Sequence, residues 1–291
     1  MQEGKIIKSV SGFYYVQSKN EIYPCKGRGV FRKKEITPLV GDNVLFDVDN
    51  KYIVEIKKRK NELKRPPIAN IDQVLVVSSV KKPKFSSLLL DRFLVMIEAA
   101  KLKPIIFINK IDLLNEKQLQ EFEEIKRVYE AIGYPVELIS SKLDGTLPNI
   151  HHYFSKKITV IAGQTGVGKS SILNKIDPSL SIETDEISKR LGRGRHTTRY
   201  VELLEVSNGL IADTPGFSTV DFSNIEVIDL TDCFPEMKER KQNCKFRGCL
   251  HNKEPNCAIK TAVQQEKISE KRYAHYLTFL DEIQSRKPRY S

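Results

Sequence analysis

The sequence contains no tryptophan, only three methionines, and no run of about eighteen apolar residues. Because a membrane-spanning helix needs about 20 predominantly apolar residues, we expect no such helix. The first residues, 1–8, lack the apolar core of a secretory signal peptide, so we expect a soluble, cytoplasmic protein without a membrane partner. In that compartment the five cysteines are expected to be thiols or metal ligands rather than disulfides.

Positive charge is unevenly distributed along the 291 residues, whose formal net charge is +11. Residues 1–66 contain 15 Lys and Arg against 8 Asp and Glu, residues 67–222 contain 20 against 19, and residues 223–291 contain 13 against 10. A basic module beside a nearly neutral one favours a polyanionic partner. Nucleic acid is favoured over a membrane because no basic amphipathic anchor helix is evident. A basic surface that only maintains solubility is the alternative.

Residues 1–66 consist of short segments rich in β-branched and aromatic residues, separated by turn residues and without helical periodicity, which predicts a small, basic OB-type β-barrel. Four aromatic side chains there could stack on bases: Tyr14, Tyr15, Tyr23 and Phe31. Alternation along a strand places about half of them in the core. A charged, proline-terminated linker follows, expected either to contact phosphate or to be solvated. The predicted strands are Lys5–Val10, Gly12–Gln17, Glu21–Cys25, Val30–Lys33, Asn43–Val48 and Tyr52–Ile56.

Predicted strands alternate with predicted helices through residues 67–222, which indicates a parallel sheet with ligand-binding loops at the C-terminal ends of its strands. The predicted helices are Ser87–Ala100 and Glu116–Ala131. The predicted strands are Asp72–Ser79, Pro104–Ile108, Val136–Ile139, Ile158–Ala162 and Tyr200–Val206.

A complete phosphate-loop motif, G-x-x-x-x-G-K-[ST], occupies Gly163-Gln164-Thr165-Gly166-Val167-Gly168-Lys169-Ser170. The apolar segment before it predicts a buried strand, and the segment from Ser171 onward can begin a helix. Glycines allow successive N–H groups to face phosphate oxygens, and the helix N-terminus adds positive potential. We expect Lys169 to reach the β- and γ-phosphates and Ser170 to ligate Mg²⁺, with Ser171 also at the nucleotide.

A second motif, Asn109-Lys110-Ile111-Asp112, follows a predicted strand and resembles the N-K-x-D guanine-recognition motif of GTPases. An aspartate carboxylate can accept the ring N–H and the exocyclic amine of guanine, and adenine offers no matching pair. Asn109 would contact the other edge of the base, and Lys110 would pack along the nucleotide plane. Ser141 and Lys142 resemble the S-A-K loop that backs the base. A polar strand-to-helix turn is the alternative interpretation of N-K-x-D.

Residues 186–199 are polar and rich in Gly and Arg, which is typical of a mobile loop. Thr197 or Thr198 could supply the threonine that closes over Mg²⁺ and the γ-phosphate, and the sequence does not distinguish the two. Asp213-Thr214-Pro215-Gly216 is a D-x-x-G element. There Asp213 would hold Mg²⁺ through water, and the Gly216 amide would sense the γ-phosphate.

A cluster of three cysteines and one histidine, Cys244-x₄-Cys249-x-His251-x₅-Cys257, lies near the C-terminus. Cys₃His is a tetrahedral zinc set without an open position, so the predicted zinc ion is structural. Chance clustering is the alternative, because the spacing is not that of a familiar zinc finger. Cys25 and Cys233 lie outside the cluster and are expected to be ordinary thiols. Residues 260–286 predict a helix.

The motifs run from base recognition through phosphate loop and switch to D-x-x-G, the order that a circular permutation of an ordinary GTPase would produce. With a barrel before them and a Cys/His cluster after them, the chain resembles the ribosome small-subunit-dependent GTPase family (RsgA, or YjeQ) over nearly its whole length. The resemblance implies a multidomain α/β protein. Its parts would be an OB-type RNA-binding barrel in 1–66, a circularly permuted P-loop GTPase domain in 67–222 and a mostly helical zinc-binding domain in 223–291.

The resemblance also implies a Mg²⁺-dependent GTP hydrolase that binds the small (30S) ribosomal subunit and its 16S rRNA late in assembly. Phe217 follows the D-x-x-G element where Ras-type proteins have the glutamine that orients the attacking water. Slow intrinsic hydrolysis is therefore expected, with help from another group or from the subunit. His196 is a candidate catalytic residue, and a solvated loop histidine is the alternative.

Two other functions are compatible with parts of the sequence. Asp112 argues against a P-loop ATPase or kinase. The second is an RNA-binding scaffold in which nucleotide only stabilises the fold, and it remains possible because Phe217 replaces the catalytic glutamine. The intact Lys169, Ser170 and Asp213 favour a GTPase. A guanine pocket would also accept guanosine tetraphosphate (ppGpp), whose regulatory role the sequence does not reveal. We expect a monomer.

Overall fold

The architecture comes from a computed structural model, which describes residues 1–33, 35–64, 66–143, 147, 150–180, 201–213 and 221–286. Contacts divide the chain into two compact units. Unit 1 comprises Met1–Val77 and Ser140–Ser218, and unit 2 comprises Ser78–Ile139 and Thr219–Ser291. The three domain ranges expected from the sequence follow composition and motifs rather than contacts, and they remain a prediction.

The elements are numbered in chain order. The strands are β1 (Gln2–Val10), β2 (Phe13–Ser18), β3 (Glu21–Gly27), β4 (Asn43–Asp47), β5 (Tyr52–Ile56), β6 (Glu62–Lys64), β7 (Pro67–Ala69), β8 (Gln73–Ser79), β9 (Lys103–Asn109), β10 (Val136–Leu138), β11 (Ile158–Ala162), β12 (Leu203–Val206) and β13 (Gly209–Asp213). The helices are α1 (Gly29–Lys33), α2 (Ser87–Ala99), α3 (Glu116–Ala131), α4 (His151–Phe154), α5 (Lys169–Ile176), α6 (Pro235–Lys238), α7 (Ala258–Gln264) and α8 (Glu270–Gln284). No helix of the described residues is long and apolar enough to span a bilayer.

The first five strands close into a barrel in the order β1-β2-β3-β5-β4, as the OB-type prediction requires. β3 and β5 pair in parallel, and the other neighbouring strands pair antiparallel. Apolar residues alternate with polar ones because one face of each strand points into the barrel. Fully buried side chains in the barrel core are Ile6, Val16, Cys25, Val44, Phe46 and Ile53.

The predicted strand at Val30–Lys33 is wrong, because these residues form most of α1. The Phe31 N–H donates to the Arg28 carbonyl at 3.0 Å, and the Ile36 N–H donates to the Phe31 carbonyl at 2.9 Å. A segment of four residues is too short for periodicity to distinguish a strand from a helical turn. Phe31 is 8% exposed and belongs to the hydrophobic core, so it does not offer a ring for base stacking.

Unit 1 also contains the strands that carry the phosphate loop. β8, β11, β13 and β12 are neighbours in that order. β11 pairs in parallel with β8 and β13, and β12 pairs antiparallel with β13. Every residue of β11 is buried, which explains its unbroken apolar sequence. An ion pair between Lys8 and Glu202 (3.0 Å) and a hydrogen bond from Gln17 to Glu205 (2.6 Å) join the barrel to the segment that contains β12.

Unit 2 combines α2, α3, β9 and β10 with the C-terminal helices. β9 and β10 pair in parallel. Apolar side chains of the C-terminal segment form a core with Val95 of α2, and its largest members are Phe222, Phe234, Tyr276 and Phe279.

The single helix predicted over residues 260–286 is divided into α7 and α8. The positive φ of Glu266 (57°) ends α7, and the Lys267 N–H returns to the Ala262 carbonyl at 2.9 Å. This left-handed C-cap explains the break, which a helical hydrophobic pattern does not reveal.

Candidate nucleotide and metal sites

The phosphate loop has the strand–loop–helix form that its sequence predicts, running from β11 to α5. Gly163, Gly166 and Gly168 have φ values of 138°, 81° and 98°, which side chains with a Cβ rarely adopt. A Cβ at Gly163 would also lie 2.2 Å from the Val77 carbonyl oxygen. The three glycines are therefore required by backbone geometry. Gln164 and Thr165 are exposed at the loop tip, and Val167 is buried beneath it.

Lys169 and Ser170 begin α5, where the helix dipole favours an anion. The Lys169 ammonium donates to the carbonyl oxygens of Gly163 (2.9 Å) and Gln164 (2.8 Å), so its side chain folds back over its own loop. Ser170 is 7% exposed. Asp213 ends β13, and the β11–β13 register places its backbone opposite Ile161, two residues before Gly163. The D-x-x-G element therefore begins beside the strand that leads into the phosphate loop.

Several predicted nucleotide and catalytic residues lie outside the described residues: His196, Thr197, Thr198 and Gly216, together with Phe217. The side chain of Asp213 is also outside the description, although its backbone is within it. The roles expected for these residues stay predictions.

The predicted base-recognition motif lies in unit 2, at the end of β9. Asn109 is fully buried, and its side-chain oxygen accepts a hydrogen bond from the Lys110 N–H at 2.8 Å. Lys110 adopts a left-handed conformation with φ of 70°, and its ammonium donates to the Lys82 carbonyl. Asp112 lies in the single 3₁₀ turn that follows, and it is half-buried. The turn after β9 is therefore held by its own polar side chains, and its role in base recognition stays a prediction.

Ser140 organises the loop that contains Ser141 and Lys142, a role that the sequence pattern alone did not identify. Its hydroxyl is buried and accepts hydrogen bonds from the N–H groups of Lys142 (3.2 Å) and Leu143 (3.3 Å). Ser141 is half-buried and Lys142 is exposed. The signal that could have identified Ser140 is its position, because a serine directly after an apolar strand often caps the next turn. The preceding residue, Ile139, accepts a hydrogen bond from the Ile111 N–H at 3.2 Å.

The four predicted zinc ligands converge in unit 2, and their ligand atoms all lie within 4.8 Å of one another. His251 Nδ1 is 3.5 Å from Cys244 Sγ and 3.3 Å from Cys257 Sγ, and the two sulfurs are 3.9 Å apart. Zn–S bonds of about 2.3 Å and Zn–N bonds of about 2.0–2.1 Å place tetrahedral ligands about 3.6–3.8 Å apart. The spacing of Cys244, Cys249, His251 and Cys257 therefore fits one tetrahedral metal ion.

Burial shifts the pKa of three of these ligands. Desolvation raises the pKa of Cys249 to about 12, raises the pKa of Cys257, and lowers the pKa of His251. A neutral imidazole is the form that binds metal, and buried thiolates need a cation to offset their charge. The chemistry of the donor set therefore fits a divalent metal that displaces two or more thiol protons.

Residues around the cluster hold the ligands in place, and cysteine spacing did not indicate them. The Glu254 carboxylate accepts hydrogen bonds from the N–H groups of Leu250 (2.8 Å) and Asn252 (2.9 Å), on either side of His251. The Tyr273 hydroxyl donates to the His251 carbonyl at 2.6 Å. Such outer contacts orient metal ligands.

Family models and curated relatives match the chain over most or all of its length. The model described as RsgA GTPase matches residues 56–223, and the RsgA N-terminal domain model matches residues 3–53. The small ribosomal subunit biogenesis GTPase RsgA 2 of Oceanobacillus iheyensis is 61% identical, with 100% of both chains covered. The small ribosomal subunit biogenesis GTPases RsgA of Bacillus cereus and Bacillus subtilis are 54% and 52% identical, again over 100% of both chains.

Two solved structures also match. YloQ, described as a circularly permuted GTPase, has a TM-score of 0.84 and 48% identity, covering 100% of this chain and 97% of its own. YjeQ from Thermotoga maritima has a TM-score of 0.87 and 34% identity, covering 98% and 99%. These matches confirm the predicted architecture of N-terminal barrel, central GTPase and C-terminal Cys/His cluster. The chain therefore belongs to the RsgA GTPase family and is a GTP hydrolase involved in the biogenesis of the small ribosomal subunit.

Proposed function

We propose that this protein acts as a monomer that binds the small (30S) ribosomal subunit and its 16S rRNA late in assembly. It hydrolyses GTP to GDP and phosphate in the cytoplasm, and the subunit stimulates the reaction. The observation that carries the proposal is the phosphate loop, whose three glycines have the positive φ values that phosphate binding needs. Its biological setting rests on the names of the full-length relatives, which are small ribosomal subunit biogenesis GTPases.

In this proposal Lys169 leaves the carbonyl oxygens of its own loop and binds the β- and γ-phosphates. The exchange is favourable because a phosphate carries full negative charge and a carbonyl only a partial one. Ser170 and Asp213 would hold Mg²⁺, together with Thr197 or Thr198. When bound, this ion would neutralise charge that develops on the phosphates. The Gly216 amide would sense the γ-phosphate.

Guanine would be selected by Asp112, which accepts two N–H groups of the base. Asn109 and Lys110 would contact the other edge and the plane of the nucleotide, and Ser141 and Lys142 would back the base. The buried Asn109 supports this assignment, because its side chain already braces the backbone that presents Asp112. The same residues would accept the guanine of ppGpp.

Stimulation by the subunit follows from Phe217, which cannot orient water as a glutamine does. His196 or a group of the ribosome would supply that function. The C-terminal Cys₃His cluster would hold one structural Zn²⁺, because three soft thiolates and an imidazole favour zinc over a hard cation.

The testing experiment measures GTP turnover with and without purified small subunits. We expect the subunits to raise turnover by orders of magnitude, as partner-supplied groups do for other GTPases. Asp112→Asn should lose this stimulated GTP hydrolysis. Lys117→Asn is the matched control, because this lysine is exposed on the solvent face of α3.

Absence of stimulation, while GTP still binds tightly, would contradict a subunit-stimulated GTPase and favour an RNA-binding scaffold. If ATP displaced bound GTP as effectively as GDP does, the assignment of a guanine site would be contradicted.

A further inference from the structure

A cleft of about 1160 Å³ lies within unit 1, and no part of the predicted nucleotide or zinc sites lines it. Its walls come from the barrel, from the linker at residues 58–60, and from the segments around β11 and the β12–β13 turn. Sites for small molecules enclose about 300–1,000 Å³, so this cleft is larger than an ordinary cofactor site. Its size suits a chain-like ligand.

The cleft is strongly basic. Seven Lys and Arg residues line it against three acidic residues, Asp72, Asp177 and Glu205. Within the described ranges of the chain, five of the six lining lysines have no carboxylate within ion-pair distance: Lys5, Lys19, Lys58, Lys156 and Lys157. Lys19, Lys58 and Lys156 are exposed, so their ammonium groups can move toward a ligand.

Hydrogen bonds and ion pairs of the other polar lining residues stabilise the walls of the cleft between these lysines. The Arg59 guanidinium makes two hydrogen bonds of 2.8 Å to the fully buried Asp42 carboxylate. Asp72 accepts from the Ile158 N–H at 2.8 Å and pairs with Lys60 at 2.9 Å. All three acidic lining residues are engaged in local contacts, since Glu205 accepts from Gln17 and Asp177 accepts from Ser179. The acidic residues therefore already have partners, and the exposed lysines project from walls that these contacts stabilise.

Lys5 adds a partly buried cation to the exposed lysines of the cleft. Its ammonium lies in the cleft and donates to the Asn43 side-chain oxygen at 2.7 Å. Desolvation lowers the pKa of Lys5, although Asp72 and Asp42 oppose the effect. An anion in the cleft would favour its charged form.

We propose that this cleft binds the phosphodiester backbone of a single-stranded segment of RNA through Lys19, Lys58 and Lys156. Phosphodiester chains carry one negative charge per nucleotide, which matches several separated lysines better than a compact anion does. Proteins that bind single-stranded nucleic acid do so in positively charged grooves that follow its backbone, which is the character of this basic cleft. The inference rests on the proposed ribosomal RNA partner and assigns it a contact within unit 1.

The experiment measures binding of the full-length protein to a fluorescein-labelled single-stranded RNA of about twelve nucleotides, at about 50 to 200 mM salt. The test variant carries Lys19→Gln, Lys58→Gln and Lys156→Gln. The control variant removes three exposed lysines of unit 2, Lys103, Lys117 and Lys271, by the same change. A third variant replaces the three cleft lysines by arginine, which keeps the charge.

Each phosphate contact to single-stranded nucleic acid contributes a slope of about 0.7 to the plot of log K against log salt. The slope for the test variant should be smaller by about 2, because three phosphate contacts are lost. The ratio of wild-type to variant RNA affinity should therefore fall about 20-fold between about 50 and 200 mM salt. The control and arginine variants should retain the wild-type slope, and basal GTP hydrolysis should be unchanged in all three.

Equal slopes for the test variant and the wild type would overturn the proposal. Binding of tripolyphosphate to the same variants is measured in parallel. If the test variant bound tripolyphosphate more weakly but RNA as tightly as wild type, the proposal would also be overturned, because the cleft would then bind small phosphate compounds. Cosedimentation with small subunits separates this proposal from the proposed function. A wild-type protein that binds the oligonucleotide through the cleft lysines but does not bind subunits would contradict only the ribosomal role.

Discussion

A buried ion network in unit 2 makes a quantitative prediction about stability. Arg272 of α8 is 2% exposed and lies between two carboxylates that are also buried, Asp91 of α2 and Glu236 of α6. Its guanidinium donates to Asp91 and makes hydrogen bonds of 2.5 and 3.2 Å to Glu236. Its plane also lies over the rings of Phe234 (5.0 Å) and Tyr129 (5.5 Å). Burial acts to lower the pKa of Arg272, and the two carboxylates outweigh it and raise that pKa.

The perturbation is Arg272→Met, which keeps much of the side-chain volume and removes the charge. It leaves Glu236 and Asp91 buried without the guanidinium, although Asp91 keeps the Tyr129 hydroxyl at 2.9 Å and His275 Nδ1 at 2.5 Å. Removing one partner of a buried pair costs about 3–5 kcal/mol. For a unit of this size we expect a fall in the thermal midpoint of roughly 10–20 °C.

Far-UV circular dichroism is the suitable assay, because the chain contains no tryptophan to report unfolding by fluorescence. The matched control is Arg127→Met, which removes an exposed helical ion pair with Glu124 whose side chains are 65% and 70% exposed. Exposed pairs contribute little, so we expect a shift of no more than about 2 °C.

The reason for the loss is testable by adding Glu236→Gln to Arg272→Met. Because the second change removes one of the stranded charges, the double variant should be more stable than Arg272→Met alone. Additive losses would refute the electrostatic explanation and leave only packing. A midpoint for Arg272→Met equal to that of the Arg127→Met control would refute the whole reasoning.

Three further predictions concern the metal, the base and an ion pair. Cys257→Ser should lower zinc affinity by more than the roughly 10–100-fold that an outer-shell change costs, measured by competition with a chelating dye, whereas Cys233→Ser should keep one ion per chain. Asp112→Asn should weaken GTP binding roughly 100-fold or more and improve binding of xanthosine triphosphate, whose extra carbonyl accepts from an amide; equal loss of both would contradict the contact. A hydrogen bond from Arg92 lowers the pKa of Glu282, so the stability that this pair contributes should be present above about pH 4.5 and be lost on further acidification. The measurement compares the thermal midpoints of Glu282→Gln and wild type as a function of pH. A difference between them that persists well below pH 4.5 would contradict this pH dependence.

Local patterns were the most predictable part of this protein. The phosphate loop needs left-handed glycines at Gly163, Gly166 and Gly168, and only a few adjacent residues determine that geometry. The Cys/His cluster is similarly local, since its ligands span fourteen residues from Cys244 to Cys257. Such features can be predicted because the chemistry and the spacing are both contained in one short segment.

Short segments with competing local preferences were less predictable. The segment around Phe31 contains two residues common in strands, Val30 and Phe31, yet it forms α1 because its backbone groups pair within the turn and the Phe31 ring is buried in the core. The break between α7 and α8 likewise depends on one left-handed residue, Glu266. In both cases the decisive term is a backbone contact that the hydrophobic pattern does not encode.

The amino-acid sequence by itself determined the nucleotide chemistry, the metal donor set and the family, because each depends on residue types at short, fixed spacings. Only the tertiary structure decided which distant residues meet. Asp91 and Arg272 are separated by 181 positions in the chain, and the basic cleft joins Lys19 to Lys156. Charge counts showed that residues 1–66 are basic, but they could not show that lysines from the barrel and from the region before β11 share one cleft. Such sites arise from chain packing, in which residues far apart in sequence become neighbours when their surroundings are buried together.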